Sequence, residues 1–138
     1  MTGLIVLAAA LAATAAVAAL MRRSNGRFAA SSAPDDRPRL SAERLGADLG
    51  ESATLVQFSS EFCSPCRATR VLLTDIATSE PGVVTVELDA EQHLDLVREL
   101  DVRRTPTVLV LDASGAVVTR SSGLPRREQV LEALRGAS

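Results

Sequence analysis

The sequence predicts an α/β domain, a mixed β-sheet flanked by helices, preceded by a single N-terminal transmembrane helix. Three observations lead there. Gly3 to Met21 is one unbroken run of apolar or small residues. After Leu40, short runs rich in β-branched residues alternate with segments of helical period. The two cysteines, Cys63 and Cys66, sit where the first such run meets the first long helical segment.

The apolar run of about nineteen residues is near the length that crosses a bilayer as a helix. Alanine dominates it, so its insertion is weaker than that of a leucine-rich span. Its single hydroxyl, Thr14, can bond back to its own helix. Only Met1 and Thr2 precede the run, whereas secretory signal peptides carry positive charge there. Arg22, Arg23 and Arg27 follow it, and the positive-inside rule keeps them cytoplasmic. The expectation is therefore an uncleaved anchor over residues 1–21 in the cell membrane, single-pass, with the domain in the cytoplasm. A cleaved signal, a buried helix of a soluble protein, and an extracytoplasmic domain are the alternatives. Residues 22–40 read as a flexible linker, because Ser31-Ser32-Ala33-Pro34-Asp35-Asp36-Arg37-Pro38 is rich in turn formers and has no apolar period. The folded domain then runs over residues 41–138.

Its composition narrows the function. The chain has 138 residues and a formal charge of −2, unevenly spread. The first forty residues are basic, which leaves ten arginines against fifteen carboxylates in the domain. With no basic stripe there, and neither tyrosine nor tryptophan to stack bases, nucleic acid is not an expected partner. About 98 residues suffice for one core without a disulfide scaffold.

The elements follow in order. Ser41 caps a short helix reaching Leu49, and Ala53–Ser59 is a buried strand. Cys63 to Ser79 is helical, with Val71, Leu72 and Ile76 near a 3.6-residue period, until Pro81-Gly82 breaks it. Val83–Leu88 is a second strand and Gln92–Leu100 a second amphipathic helix. Thr107–Leu111 and Ala116–Ser121 are strands joined by the turn Asp112–Gly115, and Arg126–Leu134 closes the chain as a helix. Strands separated by helices call for parallel crossovers, and the last two strands for an antiparallel hairpin.

The chemistry lies in Phe62-Cys63-Ser64-Pro65-Cys66. A thiol is a poor nucleophile until it ionises, and a helix start supplies unpaired N–H groups and a positive dipole end. Cys63 stands at that start. Cys66, one turn on, is close enough to attack a mixed disulfide formed on Cys63. Pro65 suits the first turn, where a missing N–H costs nothing. Two cysteines this close cannot staple distant elements, so the choices are a redox pair, inert core thiols, or half a metal site. A zinc site wants two further ligands, and the only histidine, His93, reads as a surface residue. No metal or organic cofactor is expected.

The stretch Phe58-Ser59-Ser60-Glu61-Phe62-Cys63-Ser64-Pro65-Cys66-Arg67, the Thr105-Pro106-Thr107 step and Gly123 before the last helix resemble the thioredoxin family, over about Ser41 to Arg135. The resemblance implies a thioredoxin-like fold with Cys63 and Cys66 as catalytic pair. It also implies a cis Pro106 beside them, and a Thr105 whose backbone pairs with the substrate chain. Phe62, Ser64, Pro65 and Gln57 become active-site support. The implied partners are a protein disulfide substrate and an electron-donating thiol/disulfide reductase, with the membrane met through residues 3–21 and the domain a monomer. The family's buried aspartate is replaced by Gln57, its partner lysine by Thr85 and its tryptophan by Phe62, so deprotonating Cys66 calls for water or another base. Arg67 and Arg70 are placed to favour a thiolate, a reading that stands level with solvated charge; for Glu61 as a tuner and Arg103-Arg104 as a steer for acidic partners, solvated charge is the simpler reading. The expected function is a membrane-tethered reductase of protein disulfides. An extracytoplasmic thiol reductase for cytochrome c or envelope protein maturation, and a redox-inactive binding module, are the alternatives.

Overall fold

The computed structural model of the chain describes residues 1–30 and 32–138; Ser31, part of the expected linker, lies outside the described residues. The elements are α1 (Thr2–Ser24), β1 (Phe28–Ala30), a 3₁₀ turn (Pro34–Asp36), α2 (Ala42–Leu45), β2 (Ala53–Ser59), α3 (Ser64–Ser79), β3 (Val83–Asp89), α4 (Leu94–Glu99), β4 (Thr107–Asp112), β5 (Val117–Ser122) and α5 (Arg127–Ala137). One five-stranded sheet has the order β1-β5-β4-β2-β3.

Side chains alternate across a strand, so each central strand feeds two cores. On one face, Val56, Phe58, Val86, Leu88, Leu109 and Leu111 pack beneath Leu45 of α2 and Leu96 of α4. On the other, Ala53, Leu55, Val108 and Val110 meet Leu73 and Ile76 of α3 and Val130 and Leu134 of α5. All seven residues of β2 are buried, because it is paired on both sides and covered on both faces. Helices therefore flank a mixed sheet, as expected.

Strand direction departs from expectation in one place. β2 and β3 are parallel across α3, but β4 runs antiparallel to β2 although α4 precedes it. The reason is length. The six residues of α4 rise about 9 Å, whereas the seven of β3 span about 23 Å, so α4 cannot carry the chain back along the sheet. The chain re-enters at the end it left, with Thr107 opposite Phe58. That return sets Pro106 next to the start of α3.

The second departure concerns residues 22–40, expected as a free spacer. Phe28–Ala30 pairs antiparallel with β5 as the sheet's fifth strand. Thr119 donates to the Ala29 carbonyl at 2.8 Å. Arg39 bridges Ala116, the Leu40 N–H donates to the Gly115 carbonyl, and the Val117 N–H donates to that of Pro38. Leu40 is 1% exposed within the first core. An open β5 edge would leave a row of unpaired N–H and C=O groups, and this segment satisfies them. Docking begins at Gly26, whose N–H reaches the Ser122 carbonyl at 2.8 Å. Its φ of +72° and the backbone of Leu124 and Pro125 against its Cα leave no room for a side chain.

Smaller differences have local causes. α2 stops at Leu45 rather than Leu49, because Gly46 takes the left-handed conformation at φ 67°. Ser41 caps it, accepting from the Arg44 N–H. α1 is a 23-residue helix with mean hydropathy 2.5 over its apolar window and no buried residue. It is long and apolar enough to cross a membrane, and a signal sequence near the N-terminus has the same properties. Thr14 bonds back to the Ala10 carbonyl at 2.9 Å.

Candidate active site around the cysteine pair

β2 ends at Ser59, and a three-residue loop, Ser60 to Phe62, leads to Cys63, the N-cap of α3. β-branched residues hold the strand straight until two serines end it, and Pro65 in the first turn starts the helix. Cys63 and Cys66 form a disulfide with Cα atoms 5.2 Å apart. The Cys66 N–H also points at Cys63 Sγ, 3.2 Å away. Cys63 is half-buried, whereas Cys66 is 1% exposed. Solvent and any partner therefore reach Cys63 first. Once reduced, its sulfur lies at the positive end of a 16-residue helix, which favours the thiolate.

Beneath the pair, Gln57 points from β2 towards α3. It is 1% exposed, and its Nε2 donates to the Cys66 carbonyl at 2.8 Å. The residue opposite it in β3 is Glu87, and Thr85 lies two residues back, opposite Leu55. Glu87 is held by Arg70 in a two-pronged ion pair and accepts from the Ser59 hydroxyl at 3.0 Å. The Arg70 guanidinium is the main cause that keeps the Glu87 carboxyl below its ordinary range; partial burial opposes it and Ser59 adds to it. This carboxylate stays ionised beside the pair. Together with Ser60, Glu61, Cys66, Arg67 and Asp89 it lines an open polar groove on one side of the disulfide.

A second, more apolar groove lies on the other side, lined by Asn25, Ser64, Pro65, Thr105, Pro106 and Leu124. The Thr105–Pro106 peptide is cis. The Thr105 hydroxyl meets that of Ser60 at 3.0 Å, which joins the proline loop to the cysteine loop. The Pro106 carbonyl accepts from the Gly123 N–H at 2.7 Å. Phe62 projects almost wholly into solvent, 95% exposed, and Ser64 and Pro65 are exposed too.

The structure thus brings Cys63, Cys66, Ser64, Pro65, Thr105 and Pro106 to one end of the sheet, with Gln57 beneath and Phe62 at the rim. Sequence reasoning missed Asn25, Leu124 and Glu87. Asn25 lay in the supposed spacer and carried no local signal. Glu87 was legible from strand alternation, which puts residues 85 and 87 on one face. Arg104, read as a solvated charge, donates to Asn25 Oδ1 at 3.0 Å and to the Ser122 carbonyl at 2.9 Å. Arg103 pairs with Asp101 on the surface. His93 occupies the N-cap position of α4 without a side-chain capping bond, and its Nδ1 lies 2.9 Å from the Asp89 carbonyl. Among the described residues, no three His, Cys, Asp or Glu side chains are grouped to hold a metal ion.

The family model described as Thioredoxin matches residues 42–135. Thioredoxin H5 of Oryza sativa subsp. japonica is 34% identical over 65 residues, covering 47% of each chain. The mitochondrial thioredoxin of Bos taurus is 31% identical over 81 residues, or 58% of this chain and 48% of that one. The chain therefore spans about half the length of these curated relatives. Thioredoxin F from spinach chloroplast (short form) superposes with a TM-score of 0.55 at 25% identity, covering 64% of this chain and 78% of that one. A mutant thioredoxin from Halobacterium salinarum superposes with a TM-score of 0.56 at 16% identity, covering 63% and 75%, a likeness of fold alone.

Proposed function

The chain belongs to the thioredoxin family, and from that premise we propose that it is a membrane-tethered thiol–disulfide oxidoreductase that reduces protein disulfides. Members of the family are generally thiol–disulfide oxidoreductases acting on protein disulfides with reductase partners. The observation that carries the reading is the asymmetry of the pair: a reachable Cys63 at a helix N-terminus and a buried Cys66 one turn inside it.

In the proposed cycle the Cys63 thiolate attacks one sulfur of a substrate disulfide. A Cys63–substrate bond forms and the other substrate sulfur leaves as a thiolate. Cys66, deprotonated, then attacks Cys63 Sγ, closing the intramolecular disulfide and releasing the second substrate thiol. Two electrons pass from the dithiol to the substrate, and an external protein dithiol restores the pair. Gln57 has no proton to exchange; its role is to hold the Cys66 carbonyl, and thereby the first turn of α3. Water in the polar groove beside Cys66 takes the proton instead. Thr105 and Pro106 receive the substrate chain, and Phe62, Ser64 and Pro65 shape the rim over which it passes.

In this reading α1 serves as the anchor, and a cytoplasmic domain is supported by Arg22, Arg23 and Arg27 after it. In that reducing pool a dithiol runs as a reductase. The test is reduction of insulin disulfides by the pre-reduced full chain in detergent. Cys63→Ser is expected to abolish turnover, and Cys66→Ser to accumulate a mixed disulfide on a non-reducing gel. Full activity in Cys63→Ser would sink the proposal.

A further inference from the structure

The expected spacer and the observed one differ in a way that selects a substrate. Nineteen free residues would give the domain a root-mean-square reach of about 22–26 Å from the membrane. No such reach exists. α1 ends at Ser24, and Asn25, the next residue, already lines the groove of Thr105 and Pro106. Its side chain is held by Arg104, its neighbour Gly26 by Ser122, and Phe28–Ala30 by β5. Gly123, which also lines that groove, lies directly against Asn25: a Cβ there would fall 1.5 Å from Asn25 Oδ1. The base of the helix is therefore built into the wall of the groove beside the cysteines.

The helix length places that base. Twenty-three residues rise about 35 Å, slightly more than the roughly 30 Å hydrocarbon core, so the Arg22–Ser24 end emerges among the headgroups. Charge agrees with this placement. Arg22, Arg23, Arg27 and Arg126 line the recess at the foot of α1, together with Asn25, Leu124 and Gln129 and without a carboxylate. Such a basic collar suits an anionic membrane surface. Asn25 and Leu124 border both this recess and the Pro106 groove, so the two are adjoining.

The geometry points to disulfides in the membrane-proximal loops of integral membrane proteins as the substrates of this pair, in preference to disulfides of freely diffusing proteins or of distal domains. This rests on the proposed anchor and the proposed reductase activity. The exchange itself is unchanged: Cys63 forms the mixed disulfide, Cys66 resolves it, and two electrons reach the membrane protein's cysteines. An external protein dithiol supplies those electrons.

The test uses the full chain, reduced and freed of reductant, in vesicles of phosphatidylcholine and phosphatidylglycerol. The substrates are two transmembrane peptides carrying an intramolecular disulfide loop, one adjoining the bilayer and one on a helical stalk of about 30 Å. Insulin is the soluble control. Single-turnover reduction is expected to be at least about tenfold faster for the near loop, because only it shares the effective concentration set by the short tie. A flexible Gly-Ser insertion of about twenty residues between Ser24 and Asn25 breaks the Asn25–Met21 and Arg27–Ser24 backbone bonds but keeps Asn25 on Arg104, Gly26 on Ser122 and Phe28–Ala30 on β5, and should bring the two rates together with the insulin rate unchanged. Equal near and far rates in a chain that resists carbonate extraction would overturn the inference and leave the reductase standing. A chain released by carbonate would overturn anchor and inference together, and an inert chain on insulin would overturn the redox reading beneath both.

Discussion

Replacing Leu40 with alanine tests whether the segment before the domain belongs to the fold. Leu40 is 1% exposed and packs in the core that contains Leu45, Leu111 and Val117. The substitution removes three buried carbons, a transfer loss of about 2.4 kcal/mol at roughly 0.8 kcal/mol for each. Any cavity that persists adds to this, and buried leucine-to-alanine changes span about 2–5 kcal/mol. Leu40 sits on a short segment held by the Leu40–Gly115 and Val117–Pro38 backbone bonds, so partial collapse is open to it. The expected cost is then about 3 kcal/mol, in the lower half of that range. The assay is urea unfolding of the full chain in detergent, followed by the circular dichroism of the domain. With a slope of about 1.5 kcal/mol/M, the midpoint should fall by about 2 M with the slope itself unchanged. A shift equivalent to less than about 0.5 kcal/mol, the size of an ordinary surface change, would show that Leu40 does not belong to the core and return the segment before the domain to a solvated spacer.

Two further outcomes follow from the site. Glu87→Gln should lower the Tm by roughly 2–4 °C at neutral pH. Because Arg70 depresses the Glu87 pKa on folding, the stabilisation is complete above the ordinary carboxylate value of about 4.3 and fades as pH falls through the depressed one. Wild type and variant should therefore converge in acid, and a gap that persists at the lowest pH would contradict the ion pair. Gln57→Asp places a carboxyl at a site 1% exposed, where burial raises its pKa. It should introduce a new limb in the pH–rate profile of disulfide reduction and speed resolution by at least about tenfold above that pKa, as a positioned base does. An unchanged profile would show that position 57 does not sense the cysteine pair.

Much of the fold was legible because its signals are local. Ala53–Ser59, the α3 period and the turn at Asp112–Gly115 each depend on residues within a few positions of one another. The cysteine pair at a helix start is local as well, and Thr105-Pro106 was legible through family resemblance. What could not be read from neighbours needed the assembled sheet. Phe28-Ala29-Ala30 is too short and too rich in alanine to look like a strand. It pairs only because β5, far along the chain, would otherwise be an open edge. The direction of β4 was hidden because a helix between strands usually signals a parallel crossover, and only the shortness of α4 against β3 reverses it.

By itself, then, the amino-acid sequence determined two thiols at the positive end of a helix and an apolar run long enough to cross a membrane, while the proline beside the thiols was legible only through family resemblance. The tertiary structure alone decided the surroundings of that chemistry. It set Gln57 on the Cys66 carbonyl, tied Glu87 to Arg70, and brought Asn25 at the foot of the apolar helix into the groove beside Pro106. Reactivity follows from residue type and a few angles of backbone, whereas proximity between distant segments exists only once an unpaired strand edge has found its partner.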